Sequence, residues 1–116
     1  MVVILGVLLT APMVYGKIMS HHVIRAEHLI SKLGHVQIID ASWHMPSMNR
    51  NGFAEFCEER IPGAAFFDLD ECCDKTSPMP HMMPSMSQFE AYMGGIGIVS
   101  EKPIVVYDSV SCALSL

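Results

Sequence analysis

The sequence predicts an α/β domain with a mostly parallel central sheet flanked by helices. Two observations carry this. Three short apolar runs, at 36–41, 64–69 and 104–107, have the length and β-branched or aromatic content of buried strands. Between and before them, at 23–33, 53–59 and 87–94, apolar residues recur at helical spacing. Strands that alternate with helices are joined by crossovers, and crossovers produce parallel pairing. A chain of 116 residues holds one such core.

Taken in order, Val23, Ile24, Leu29, Ile30 and Leu33 mark a first helix, which Gly34 can stop. Residues 36–41 follow as a strand ending at Asp40 and Ala41, and 49–52 read as a turn. The next helix places Phe53, Phe56 and Cys57 on one face, and Pro62-Gly63 breaks the chain after it. Residues 64–69 read as a strand with Phe66 and Phe67 inside. Residues 72–87 form a long loop of Pro, Ser and Met, a length usual in functional or flexible segments. Ser87 can cap a helix through Gly94 that turns Phe89, Tyr92 and Met93 inward, and 104–107 form a third strand.

Composition excludes some classes. Apolar residues at 51% against 16% charged describe a globular chain, not a disordered one. A net charge of -5 with no Lys/Arg run argues against nucleic acid as the main partner. The cysteines, Cys57, Cys72, Cys73 and Cys112, form no C-x-x-C pair, so a zinc ribbon or finger is not expected. Adjacent Cys72 and Cys73 suit an ordinary disulfide poorly, which favours reduced thiols and a reducing compartment.

The start of the chain pulls the other way. Residues 1–19 form an apolar leader, uncharged through Gly16, that reads as the middle and end of a secretory signal without its basic lead. The alternative is an extra apolar segment from a different start site. It falls short of the ~20 apolar residues a spanning helix needs, so membrane association is not expected. The remainder, 20–116, is assigned to the folded domain.

Four blocks carry a family resemblance. They are Ile38-Ile39-Asp40-Ala41-Ser42-Trp43; Phe56 followed by Arg60-Ile61-Pro62-Gly63-Ala64-Ala65-Phe66; Phe67-Asp68-Leu69-Asp70 with Thr76-Ser77-Pro78-Met79-Pro80-His81-Met82-Met83-Pro84; and Ile104-Val105-Val106-Tyr107-Asp108. In that order they resemble the first domain of the two-domain, rhodanese-like thiosulfate and 3-mercaptopyruvate sulfurtransferases. The third block resembles the 3-mercaptopyruvate branch. Arg60 departs from the family signature, which usually has His there, but keeps a donor and a charge.

The resemblance implies a rhodanese-like domain and a reaction that moves sulfane sulfur from 3-mercaptopyruvate or thiosulfate to a thiol, thioredoxin or cyanide. A cysteine thiolate is the nucleophile in that reaction, and no cofactor is needed. In catalytic rhodanese domains this cysteine directly follows the last strand of the fourth block. Here the position is Asp108, which implies the non-catalytic half. The likeness ends soon after it, and the chain ends at Leu116. The expectation is therefore a truncated N-terminal domain, inactive by itself and marginally stable. Its partners are then the missing C-terminal rhodanese domain, a small sulfur-donor anion and a thiol acceptor. The family also implies a mitochondrial or cytoplasmic location, with secretion the alternative if the leader is a signal.

Site residues follow from the same likeness. Asp70 and His81 match an Asp and a His of the mercaptopyruvate branch that are proposed to form a relay with a serine of the second domain. A carboxylate fixes the tautomer of its histidine, which then serves as acid or base. Read without the family, Asp70 caps a turn and His81 bonds backbone. Arg50, Arg60 and Lys75 supply charge near a cleft or sit as surface ion pairs. Trp43 reads as a core or interface aromatic, and Cys112 as a free thiol rather than a displaced nucleophile.

Two other classes stay open. A catalytically dead rhodanese-like module can persist as an interaction domain. Met79, His81, Met82, Met83 and Met86, with His21 and His22, offer soft ligands suited to Cu(I).

Overall fold

The computed structural model describes residues 3–8 and 23–109; Cys112, His21 and His22 lie outside them. The sheet has the order β1-β4-β2-β3, where β1 is Val3–Leu8, β2 Gln37–Asp40, β3 Ala65–Phe66 and β4 Ile104–Asp108. Strands β2, β3 and β4 are mutually parallel, as the alternation of elements predicts. Strand β1 is antiparallel to β4, with a register shift between Leu5 and Val7. Part of the apolar leader thus forms an edge strand of the sheet.

Three α-helices, α1 (Ala26–Ile30), α2 (Gly52–Glu58) and α3 (Met86–Gly95), and a 3-10 turn at Pro46–Met48 complete the described fold. The core splits across the sheet. On one side Leu29, Ile38, Val105 and Tyr107 are buried together, with Ile24, Leu33 and Ile61 packed on them. On the other, Ile39, Met93 and Ile104 are buried under Phe67, Phe89 and Tyr92. Alternate residues of β2 and β4 therefore face opposite layers, as the strand pleat requires. Ile104 and Val105, adjacent in sequence, are the largest fully buried side chains and fall one into each layer.

Several elements differ from expectation. Helix α1 is shorter than 23–33: Arg25 at its N-cap provides no side-chain bond, and Ser31 Oγ bonds the His28 carbonyl at 2.7 Å as the helix closes. Strand β3 is two residues long: the bond from Phe67 N–H to Asp40 O is the last of its ladder, and the chain then enters a turn. The cap of α3 is Ser85, not Ser87. Ser85 Oγ accepts from Gln88 N–H, and the Gln88 side chain accepts from Ser85 N–H, a complete capping box.

Helix α2 buries no residue. Phe53 and Phe56 instead meet Phe66, each with ring centroids 5.4 Å away, at the open edge of the sheet. Asn51 caps this helix through Ala54 N–H. A glycine is required at position 52, since a Cβ there would lie 2.6 Å from the Ser42 carbonyl oxygen. That close approach presses α2 against the segment that leads out of β2.

Candidate functional site

The site begins at the carboxyl ends of the parallel strands, where open α/β sheets place their ligands. Buried Asp40 ends β2 and accepts from Ser42 N–H at 2.9 Å and Ser42 Oγ at 2.5 Å. Ser42 Oγ in turn accepts from Ser109 N–H at 2.8 Å. These bonds tie the end of β2 to the residue after β4. Tyr107 OH accepts from Ile61 N–H at 3.3 Å, and burial pushes its hydroxyl up to about 12. The result is a braced strand end, and Trp43 leaves it directly after Ser42.

The loop beyond β3 is ordered by its own side chains. Asp68 N–H donates to Tyr92 OH in α3 at 2.7 Å. Asp68 Oδ1 accepts from Asp70 N–H at 2.9 Å, a turn that sets the direction of Asp70. Asp74 N–H donates to Met82 O at 2.8 Å and closes the loop across its base. Asp74 also caps Thr76 through Thr76 Oγ1, which holds the Asp74 carboxyl below its ordinary range.

Within this frame Asp70 and His81 meet. His81 Nε2 lies 2.6 Å from Asp70 Oδ1. The His81 backbone has φ 56, in the left-handed region that non-glycine residues seldom adopt. Such strain persists where the surroundings impose it, and it gathers at functional sites. The turn-cap reading of Asp70 does not hold: its carboxylate faces side chains, while Asp68 makes the turn.

Trp43 is the site residue that sequence reasoning missed. Its Nε1–H donates to Asp70 Oδ2 at 3.3 Å, and its rings stand edge-on to His81 with centroids 4.8 Å apart at 81°. The signal available was the tryptophan's place just after a strand that ends in a buried aspartate.

The other candidates are engaged elsewhere. Arg50 pairs with Glu55 at 2.6 Å, and this bond holds the Glu55 carboxyl low. Lys75 pairs with Glu71 at 3.1 Å, one helical turn apart in sequence. Arg60 stacks over the Phe56 ring at 4.8 Å. None of the three is drawn to the Asp70–His81 pair. The His44 side chain is buried, and its Nε2 lies 3.1 Å from Glu55 Oε2.

Beside His81 opens an apolar cavity of about 540 Å³ lined by Phe67, Leu69, Cys72, Met82, Met86 and Phe89, among others. Met82, Met83 and Met86 of the soft-ligand motif line it together with His81, whereas Met79 does not. No cluster of three His, Cys, Asp or Glu residues suited to a metal occurs among the described residues. Cys57, Cys72 and Cys73 are free thiols. Burial pushes the Cys72 thiol up, away from the thiolate form that a nucleophile needs. Among the described residues, no helix is long and apolar enough to cross a membrane.

Comparison with known proteins assigns this fold. No family model matches the chain. Over 74 residues it is 46% identical to 3-mercaptopyruvate sulfurtransferase of Homo sapiens, covering 64% of this chain and 25% of that protein. It is 44% identical over 73 residues to thiosulfate sulfurtransferase of Bos taurus, covering 63% of this chain and 24% of that protein. SseA from Escherichia coli, a 3-mercaptopyruvate sulfotransferase described with the rhodanese fold, superposes with a TM-score of 0.68 at 38% identity. The match covers 72% of this chain and 33% of SseA. The chain has the rhodanese fold.

A yeast mitochondrial complex I sub-stoichiometric sulfur transferase subunit is similar too, with a TM-score of 0.65 at 36% identity over 72% of this chain and 28% of that one. The rhodanese-like chain spans about a quarter of the length of the curated relatives it matches.

Proposed function

We propose that this chain is the non-catalytic half of a sulfurtransferase that takes sulfur from 3-mercaptopyruvate, and that Asp70 and His81 serve that reaction as an acid–base pair. The observation that carries the reading is the 2.6 Å contact of His81 Nε2 with Asp70 Oδ1. In the neutral ring, Nε2–H donates to the carboxylate, which leaves Nδ1 with the lone pair that can take a proton. Thiosulfate is the alternative donor, since relatives of both names match this chain.

The chemistry of the donor explains why such a pair is useful. A cysteine thiolate attacks the sulfur of 3-mercaptopyruvate, and the carbon–sulfur bond breaks. The bonding electrons pass to the carbon, giving the enolate of pyruvate, while the sulfur stays on the enzyme as a persulfide. The enolate then takes a proton to become pyruvate. A group that removes the thiol proton of the donor or supplies one to the enolate lowers the barrier, and positioned acid–base groups contribute about 10²–10⁴-fold. In this reading the reactive cysteine lies on a partner C-terminal rhodanese domain, and thioredoxin or another thiol removes the persulfide sulfur. The compartment is mitochondrial or cytoplasmic.

Asp108 supports the non-catalytic assignment. It closes β4, where a catalytic rhodanese domain would begin its cysteine loop. The test is persulfide detection by mass spectrometry after exposure to 3-mercaptopyruvate, with the human relative as positive control. The relative gains one sulfur atom and this chain gains none. Sulfur on Cys57, Cys72, Cys73 or Cys112 would overturn the non-catalytic assignment.

A second reading has an observation in its favour. Met83 is 87% exposed and Met86 73% exposed, beside an apolar cavity. Apolar surface of this kind suits contact with another protein. A dead rhodanese-like interaction module would use this face without any role for His81.

A further inference from the structure

Asp70 and His81 both ride on the long loop after β3, and the Asp70 side chain is 65% exposed. An exposed carboxylate on a loop rotates freely, and exposed ion pairs hold weakly. Here both carboxylate oxygens are engaged: Oδ1 by His81 Nε2 at 2.6 Å and Oδ2 by Trp43 Nε1–H at 3.3 Å. The same indole stands edge-on to the imidazole at 4.8 Å. One side chain therefore touches both members of the pair.

Trp43 does not belong to that loop. It follows Ser42, which is buried and bonded to Asp40 in β2 and to Ser109 beyond β4. Gly52 lets α2 press on the Ser42 carbonyl from the other side. Trp43 is thus fixed to the scaffold, while the pair it touches is fixed only to a loop.

We propose that Trp43 is the positioning residue of the Asp70–His81 pair, transmitting the rigidity of the sheet end to both side chains. The inference rests on the acid–base reading above. Its indole N–H stops rotation of the Asp70 carboxylate. Its ring fixes the plane of the imidazole, so that Nδ1 keeps one direction. Catalytic groups need such support because small misplacements cost rate steeply.

The test is proton exchange by nuclear magnetic resonance on the 116-residue chain with nitrogen-labelled histidine and tryptophan. The wild type shows a protected His81 Nε2–H, and Asp70→Asn loses it. Trp43→Phe keeps an aromatic ring but removes the donor, and His81 Nε2–H then exchanges about tenfold faster, the scale of one lost charge-assisted hydrogen bond. Backbone amides of β2 and β4 keep their exchange rates, which separates positioning from a loss of fold. An unchanged His81 rate in Trp43→Phe, with loss in Asp70→Asn, overturns the Trp43 role and leaves the pair standing. A His81 signal indifferent to Asp70→Asn overturns the pair itself, and the inference falls with it. Should Trp43→Phe not fold, the indole N–H decides. The chain has one tryptophan, so its signal is unambiguous. Asp70→Asn speeds its exchange about tenfold, and an unchanged rate overturns the proposal.

Discussion

His81 Nε2 and Asp70 Oδ1 stand 2.6 Å apart across a loop that Asp74 N–H and Met82 O close at its base, and His81 itself adopts a left-handed backbone. The contact is therefore bought with local strain. A residue that relaxes that strain should stabilise the loop, and one that worsens it should do the opposite.

His81→Gly and His81→Val separate these effects. Glycine adopts φ 56 without penalty, whereas a β-branched residue there costs about 1–2 kcal/mol in backbone strain alone. Urea melts should rank glycine above valine in stability. The reverse order would mean that the backbone at His81 is not left-handed.

Gly52→Ala tests the close approach of α2 to the Ser42 segment. The new Cβ would meet backbone oxygen at 2.6 Å, and backbone cannot move aside as a flexible side chain can. The expected loss is about 1–3 kcal/mol by chemical denaturation, the usual cost of overpacking. Gly94→Ala, where nothing lies within 4 Å, should be neutral or slightly stabilising and serves as the control.

Cysteine reactivity should follow burial. Cys57 is exposed, whereas Cys72 is 6% exposed with its thiol pushed up by desolvation. Alkylation by iodoacetamide at mildly alkaline pH, mapped by peptide mass spectrometry, should label Cys57 well before Cys72. Equal rates would show that the wall of the apolar cavity opens in solution.

Alkaline stability should depend on Tyr107. Its folded value of about 12 lies above the ordinary 10, so the folded state keeps a proton that the unfolded chain releases. The contribution is fully present below pH 10 and is lost as pH rises toward 12. Burial also raises Tyr92, but less far, so tyrosinate absorbance should show a late-titrating component whose last part Tyr107→Phe removes. A Tyr107 that titrates near the ordinary value would contradict its burial beside Ile61 and Asp40.

The sequence made the sheet legible because β2 and β4 are buried on both faces, and such strands read as continuous apolar runs. It misplaced the cap of α3, since Ser85 and Ser87 are chemically alike and only the reciprocal Gln88 bond distinguishes them. It placed Phe53, Phe56 and Cys57 on one face of α2 but not how far that face is covered: Phe53 stays 56% exposed, because two-residue β3 offers too little surface to cover it. The pairing of Asp70 with His81 came from family likeness, since nothing in their spacing dictates a loop that folds back. The part played by Trp43 was hidden for a different reason. Its contacts depend on where that loop returns, a tertiary fact without local pattern.

Acid–base work by Asp70 and His81 in a sulfurtransferase is open to test in a chimera. The 74-residue matched stretch of human 3-mercaptopyruvate sulfurtransferase would be replaced by the corresponding stretch of this chain, and pyruvate release from 3-mercaptopyruvate measured. The chimera should be active, and its turnover should fall about 10²-fold or more with His81→Gln and similarly with Asp70→Asn. A chimera that turns over equally fast with His81→Gln would contradict that role.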